Sequence, residues 1–127
     1  MKNICDYEND EELMKVCRRQ ILAIHDTLEI FSGKWKIPIV GALIHLREAR
    51  FKELQHVIGK ITSRMLSKEL KELEINQLVK RTVLDTKPAT VKYSITPHGE
   101  SCKEVIIALK EWGERHRESI FGADVNT

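Results

Sequence analysis

Ile61-Thr62-Ser63-Arg64-Met65-Leu66-Ser67-Lys68-Glu69-Leu70-Lys71-Glu72-Leu73-Glu74 is the stretch from which the rest of the chain can be read. Thr62 is an N-cap residue type, and Ile61 and Leu66 stand at the two positions where apolar side chains staple a helix start. Leu66, Leu70 and Leu73 follow at i, i+4 and i+7, so one face of the helix points to a core. The opposite face carries Arg64, Lys68 and Lys71 at the same spacing, beside Thr62, Ser63 and Ser67, with no acid through Lys68.

Working back, Phe51, Leu54, Val57 and Ile58 give a short helix its apolar stripe, and Gly59-Lys60 breaks it. Helix, short glycine turn, helix is helix-turn-helix spacing. Working forward, the period changes from 3.6 to 2. Val79 to Leu84 is rich in β-formers, Val91-Lys92-Tyr93-Ser94-Ile95 alternates, and Asp85-Thr86-Lys87-Pro88-Ala89 supplies turn residues between them. That pattern predicts a β-hairpin directly after the second helix, a basic wing carrying Lys80, Arg81, Lys87, Thr90 and Lys92.

Further out, Leu13, Val16, Cys17, Ile21 and Ile24 recur at helical steps, and a second helical stretch from about Thr27 to Phe31 breaks at Ser32-Gly33. Trp35 to Leu46 is apolar on almost every side and belongs at the centre of the fold, with Trp35 read as core. Thr96-Pro97 caps a last helix expected to run to about Arg117. Its apolar residues Val105, Ile106, Ile107, Leu109 and Trp112 cover more than one face, so it asks for a partner beyond its own domain, most simply a second copy.

Composition bounds the function. The chain has 127 residues, 42% of them hydrophobic, enough for one cored domain. No apolar run approaches the roughly 18 residues of a membrane span, and no signal-type segment opens the chain, so a cytoplasmic location is expected. The net charge is only +2, but residues 1–14 hold one Lys against five acids and residues 60–93 hold eight bases against four acids. A locally basic middle suits a polyanion. The three cysteines have no pair spacing, which fits a reducing compartment better than a disulfide framework or a zinc site. Cys5 falls in a tail, and Cys17 and Cys102 on apolar stripes, where burial is expected. The five histidines lack companions at ligand intervals, so no metal and no cofactor are expected. No Gly-rich loop or nucleophile–base arrangement suggests an enzyme.

The residues now assembled resemble the HxlR family. Phe31-Ser32-Gly33-Lys34-Trp35-Lys36, Arg50-Phe51-Lys52-Glu53-Leu54, the 61–74 stretch, Val91-Lys92-Tyr93-Ser94-Ile95-Thr96 with Gly99, and Trp112-Gly113 carry the likeness in order. It implies a bacterial, homodimeric winged helix-turn-helix repressor or activator of MarR-like architecture. It also implies that the first and last helices make the dimer and that helix 62–74 reads the major groove. Two departures stand out. Leu22-Ala23 occupies the place of a Cys-Pro that serves as a sensor in some members, with Cys17 five residues earlier. Gln77 stands where glycine is usual, so Asn76 is expected to supply the left-handed residue.

The expected fold is thus mostly α with a small β-hairpin wing, a single domain over 1–127. About 26–97 would form the DNA-binding core, and helices at about 10–25 and 97–117 would make the dimer. Double-stranded DNA is the expected partner, contacted by Thr62, Ser63, Arg64, Ser67, Lys68, Lys71, Lys87, Thr90 and Lys92. Leu13, Cys17, Ile21, Ile106, Leu109 and Trp112 are the expected dimer residues. Two rivals stay open, a winged helix used for protein interaction and a DNA-binding protein switched by a thiol sensor at Cys17. Operator sequence, the sign of regulation and the inducing signal, small-molecule or redox, are not encoded in any residue pattern.

Overall fold

The structure, a computed structural model, describes residues 9–122. It divides into two units, one ending at Gly33 and one beginning at Lys34.

The first unit is the helix α1, Asp10–Ile30. Asn9 caps it by accepting from the Glu12 N–H at 2.7 Å, and Asp10, Glu11 and Glu12 complement the positive end of its dipole. The two helical stretches read from the sequence are therefore one. No Gly or Pro interrupts residues 10–30, and the Thr27 hydroxyl donates to the Ala23 carbonyl at 2.9 Å within the helix. No residue of α1 is buried.

In the second unit, α2 (Lys36–Leu46) is the centre, with Ile39, Val40 and Leu43 fully buried. Around it lie α3 (Phe51–Ile58), α4 (Ser63–Ile75), a short α5 (Pro97–Glu100) and α6 (Lys103–Phe121). The hairpin is β2 (Val79–Leu84) and β3 (Thr90–Ile95), within a residue of the expected strands. A third strand, β1 (Glu48–Arg50), joins it antiparallel, giving the order β1-β3-β2. Three residues hold too little alternation to announce a strand, and β1 exists because Ala49 pairs with Tyr93 and both bury against the helices.

Several details correct the sequence reading. The last helix is not continuous from Pro97. Thr96 caps α5 as expected, accepting from the Gly99 N–H at 2.9 Å. The Cys102 N–H then bonds to the Gly99 carbonyl at 3.1 Å, an i−3 tightening that sets α6 off on its own. Gly99 is required there, because a Cβ would collide with the Leu78 carbonyl oxygen and the Ile95 side chain. At the end of α4 the left-handed residue is Gln77 (φ 63), not Asn76 (φ −83). Leu78 N–H bonds to Leu73 O and Gln77 N–H to Glu74 O, both at 3.0 Å, which is a Schellman closure. Asn76 instead turns its side-chain amide onto the Glu72 carbonyl at 3.2 Å. Trp35, expected in the core, is half-buried, with Lys34 Nζ 4.9 Å above its ring. Cys17 and Cys102 are half-buried rather than buried, and Cys5 lies outside the described residues.

Candidate nucleic-acid interface

α3, the turn at 59–62 and α4 form the helix-turn-helix. Gly59 has φ 77 and ψ 178, a conformation open essentially to glycine alone. Thr62 caps α4, accepting from the Met65 N–H at 3.1 Å, and buried Ile61 and Leu66 complete the staple. Gln55 braces the turn from α3, donating to the Ile61 carbonyl at 3.0 Å and to Ser63 Oγ at 3.1 Å. The angle between the two helices is thus held by a side chain as well as by the turn.

α4 separates its residues cleanly. Leu66, Leu70 and Leu73 are buried, while Thr62, Ser63, Arg64, Ser67, Lys68 and Lys71 are all exposed. Two of its three acids, Glu69 and Glu72, turn toward α2, while Glu74 is exposed beyond Lys71. Lys36, in the first turn of α2, is buried and places its ammonium 2.7 Å from Glu69 and 2.5 Å from Glu72. Burial pulls the Lys36 pKa down, but hydrogen bonds and charge from both carboxylates outweigh it, and the net shift is upward. The hydrogen bond from Lys36 holds Glu72 below its ordinary range, against partial desolvation, and the charges of Lys36 and Lys68 add to this. One ammonium thus holds both carboxylates to the Lys36 side of the helix and offsets one of their two charges, while the exposed polar residues from Thr62 to Lys71 are hydroxylic or cationic.

This triad was missed in the sequence, although two signals for it were present. Lys36 is the one charged residue of α2, and Glu69 falls on the leucine stripe of α4. A charge at either place needs a partner.

In the wing, Lys87 is exposed at the tip. Thr90 is half-buried, and its hydroxyl meets that of Thr86 at 2.9 Å across the turn. Lys92 is paired with Glu48 of β1 at 2.9 Å, so it is the most committed of the expected contact residues. In α6, Ile106 sits over Gly41 of α2, whereas Leu109 and Trp112 are exposed, Trp112 stacking on His116 at 4.9 Å. Leu13 and Cys17 are half-buried and Ile21 is exposed on α1. Among the described residues no group of His, Cys, Asp and Glu could hold a metal, and no helix is long and apolar enough to cross a membrane.

The profile described as HxlR-like helix-turn-helix matches residues 30–121. The chain belongs to the HxlR family. It is a transcriptional regulator with a winged helix-turn-helix DNA-binding domain, and its relatives are regulators rather than enzymes. The HTH-type regulator YdeP of Bacillus subtilis is 38% identical over 97 residues, covering 76% of this chain and 75% of its own. Among solved structures, the redox regulator HypR in its reduced form is 34% identical with a TM-score of 0.73, over 80% of this chain and 99% of that one. Reduced YodB from B. subtilis is 28% identical with a TM-score of 0.66, over 80% of this chain and 96% of that one. The likeness to HxlR regulators is thus one of both sequence and fold, and the helix-turn-helix and sheet described above lie within the matched region.

Proposed function

We propose that the protein regulates transcription by binding a pseudo-palindromic operator as a homodimer, with α4 in the major groove and the β2–β3 hairpin as a wing along the adjacent backbone. The observation that carries this reading is the partition of α4, with every hydroxyl and cation from Thr62 to Lys71 outward and both Glu69 and Glu72 drawn to Lys36. Arg64 and Lys68 are suited to guanine edges, Ser63 and Ser67 to bases or phosphate, and Lys87 to phosphate at the wing tip. Lys92 and Thr90 contribute less, because Glu48 and Thr86 already engage them.

The dimer reading rests on the terminal helices. An uninterrupted α1 aligns Met14, Cys17, Ile21, Ile24 and Leu28 at alternating three- and four-residue steps, and the four apolar residues among them are all exposed. Leu109, Trp112, Ile120 and Phe121 of α6 are exposed as well. Such stripes on two helices that bury nothing of their own suit a subunit seam. Two recognition helices would then stand about 34 Å apart, one DNA turn.

The test is anisotropy binding to duplex from the protein's own upstream region, with Arg64→Ala and Lys68→Ala alongside. Each is expected to cost about 1–3 kcal/mol, and loss of a base contact is expected to relax sequence preference. A folded protein with no preference for duplex would favour the protein-interaction reading instead. A thiol switch at Cys17 is the second reading, favoured by the position of Cys17 on the α1 stripe and by the likeness to a redox regulator. It requires that oxidant change operator affinity in the wild type and leave Cys17→Ser unaffected.

A further inference from the structure

Lys80 and Arg81 are adjacent cations in β2, and sequence gives no reason to prefer either. The sheet register does. Arg81 stands directly opposite Tyr93, and Tyr93 opposite Ala49, so Arg81 shares the face that turns two buried side chains toward the helices. Lys80, opposite Ser94, belongs to the other face. On α4, Ser67, Lys71 and Glu74 fall at i, i+4 and i+7 and form the edge of the helix nearest β2. α4 and the β2–β3 hairpin line a pocket of about 340 Å³, with Ser67, Lys71 and Glu74 on the helix and Arg81 and Tyr93 on the two strands.

We propose that this pocket is the seat of one phosphodiester group of bound duplex DNA, with Arg81 as its principal donor and Lys71 and Ser67 completing it. The inference rests on the placement of α4 and the wing given under Proposed function. A helix in the major groove and a wing at the neighbouring minor groove have one sugar–phosphate strand between them, and that strand passes between α4 and β2. The chemistry of the pocket fits. An arginine fork matches two phosphate oxygens, lysine and serine add donors, and all belong to rigid elements. Lys71 and Arg81 set against Glu74 leave one net positive charge, which matches the single negative charge of a diester rather than the double charge of a free phosphate ester. Lys71 is thereby drawn from base reading to backbone anchoring, a contact that fixes register without selecting sequence.

The experiment measures binding of the full chain to an operator duplex and to a random duplex between about 50 and 200 mM salt. Wild type, Arg81→Ala, Arg81→Lys and Lys71→Ala are compared, each checked for fold by circular dichroism. Arg81→Ala should weaken binding to both duplexes by the same factor, about tenfold for each half of the homodimer. It should also reduce the log–log salt slope by about 1.8, the share of two phosphates, one for each half of the homodimer. Arg81→Lys should keep the slope but lose affinity, because the charge remains and the fork does not. A single methylphosphonate placed between the major-groove half-site and the wing should weaken the wild type and leave Arg81→Ala indifferent.

An unchanged slope in both Arg81→Ala and Lys71→Ala, with wild type binding normally, would overturn the seat and leave the regulator reading intact. Loss of operator preference in Arg81→Ala would overturn it too, making Arg81 a base reader. If inorganic phosphate at matched ionic strength displaced DNA from wild type but not from Arg81→Ala, the pocket would be a site for a free anion instead. Failure of wild type to bind any duplex would reject the operator reading itself, and the seat with it.

Discussion

Replacing Lys36 tests the internal charge arrangement on which the cationic face of α4 depends. The Lys36 side chain is 5% exposed, that of Glu69 7% and that of Glu72 41%. At 2.7 Å and an effective dielectric of about 20, the Lys36–Glu69 attraction is about 6 kcal/mol. Desolvation costs several kcal/mol for each buried ion, so the intact pair is close to neutral for stability. Removing one partner is different. Lys36→Met leaves Glu69 buried and uncompensated, which costs about 3–5 kcal/mol, while Glu72 can turn to solvent. Urea unfolding followed by circular dichroism at fixed protein concentration should show this as a midpoint lowered by about 2 M, for a slope near 2 kcal/mol/M. Lys36→Met/Glu69→Leu should recover most of the loss, because the orphaned charge is gone.

The pH dependence supplies the sign. In the wild type Glu72 lies below its ordinary 4.5, so the stability it contributes is present above that value and is lost as pH falls through the lowered one. Lys36 lies above its ordinary 10.5, so its contribution is intact below that value and is lost as pH rises through the raised one. A Lys36→Met protein within about 1 kcal/mol of wild type, or one whose cost simply adds to that of Glu69→Leu, would refute the reasoning.

Gln77→Gly should stabilise the protein by up to about 1 kcal/mol, since glycine adopts φ 63 without the Cβ penalty and forfeits only backbone entropy; thermal melting reads it. Gly59→Ala should cost about 1–3 kcal/mol in the same assay and weaken operator binding, because φ 77 with ψ 178 strains any Cβ and α4 would swing relative to α3. Cys102 has its pKa raised by burial, only partly offset by a hydrogen bond from Ser101. In a Cys5→Ser/Cys17→Ser background it should react with iodoacetamide at pH 8 more slowly than an ordinary thiol, and urea should abolish the difference.

The helix-turn-helix, the hairpin and the cap at Thr62 were legible in the sequence because each is a local arrangement. A capping hydroxyl bonds three residues ahead, a staple spans five positions, and strand alternation has a period of two. Those signals survive without knowledge of anything distant. The unity of α1 was misread because Asp26 and Thr27 are poor helix formers, and only the continuous backbone with Thr27 bonded to Ala23 shows that they do not break it. What tertiary structure alone decided lies between residues far apart in the chain. Lys36 meets Glu69 and Glu72 because α2 is threaded through the core beneath α4. Glu48 takes Lys92 from the wing because a three-residue strand pairs with β3. Arg81 shares the Tyr93 face of the sheet, beside Ser67 and Lys71 of α4, and Lys80 takes the other face, because the pleat turns adjacent residues to opposite sides. The sequence by itself determined which residues bear charge and which elements carry them. Packing determined which charges are spent inside and which remain for a partner, since that depends on long-range contacts that no local period encodes.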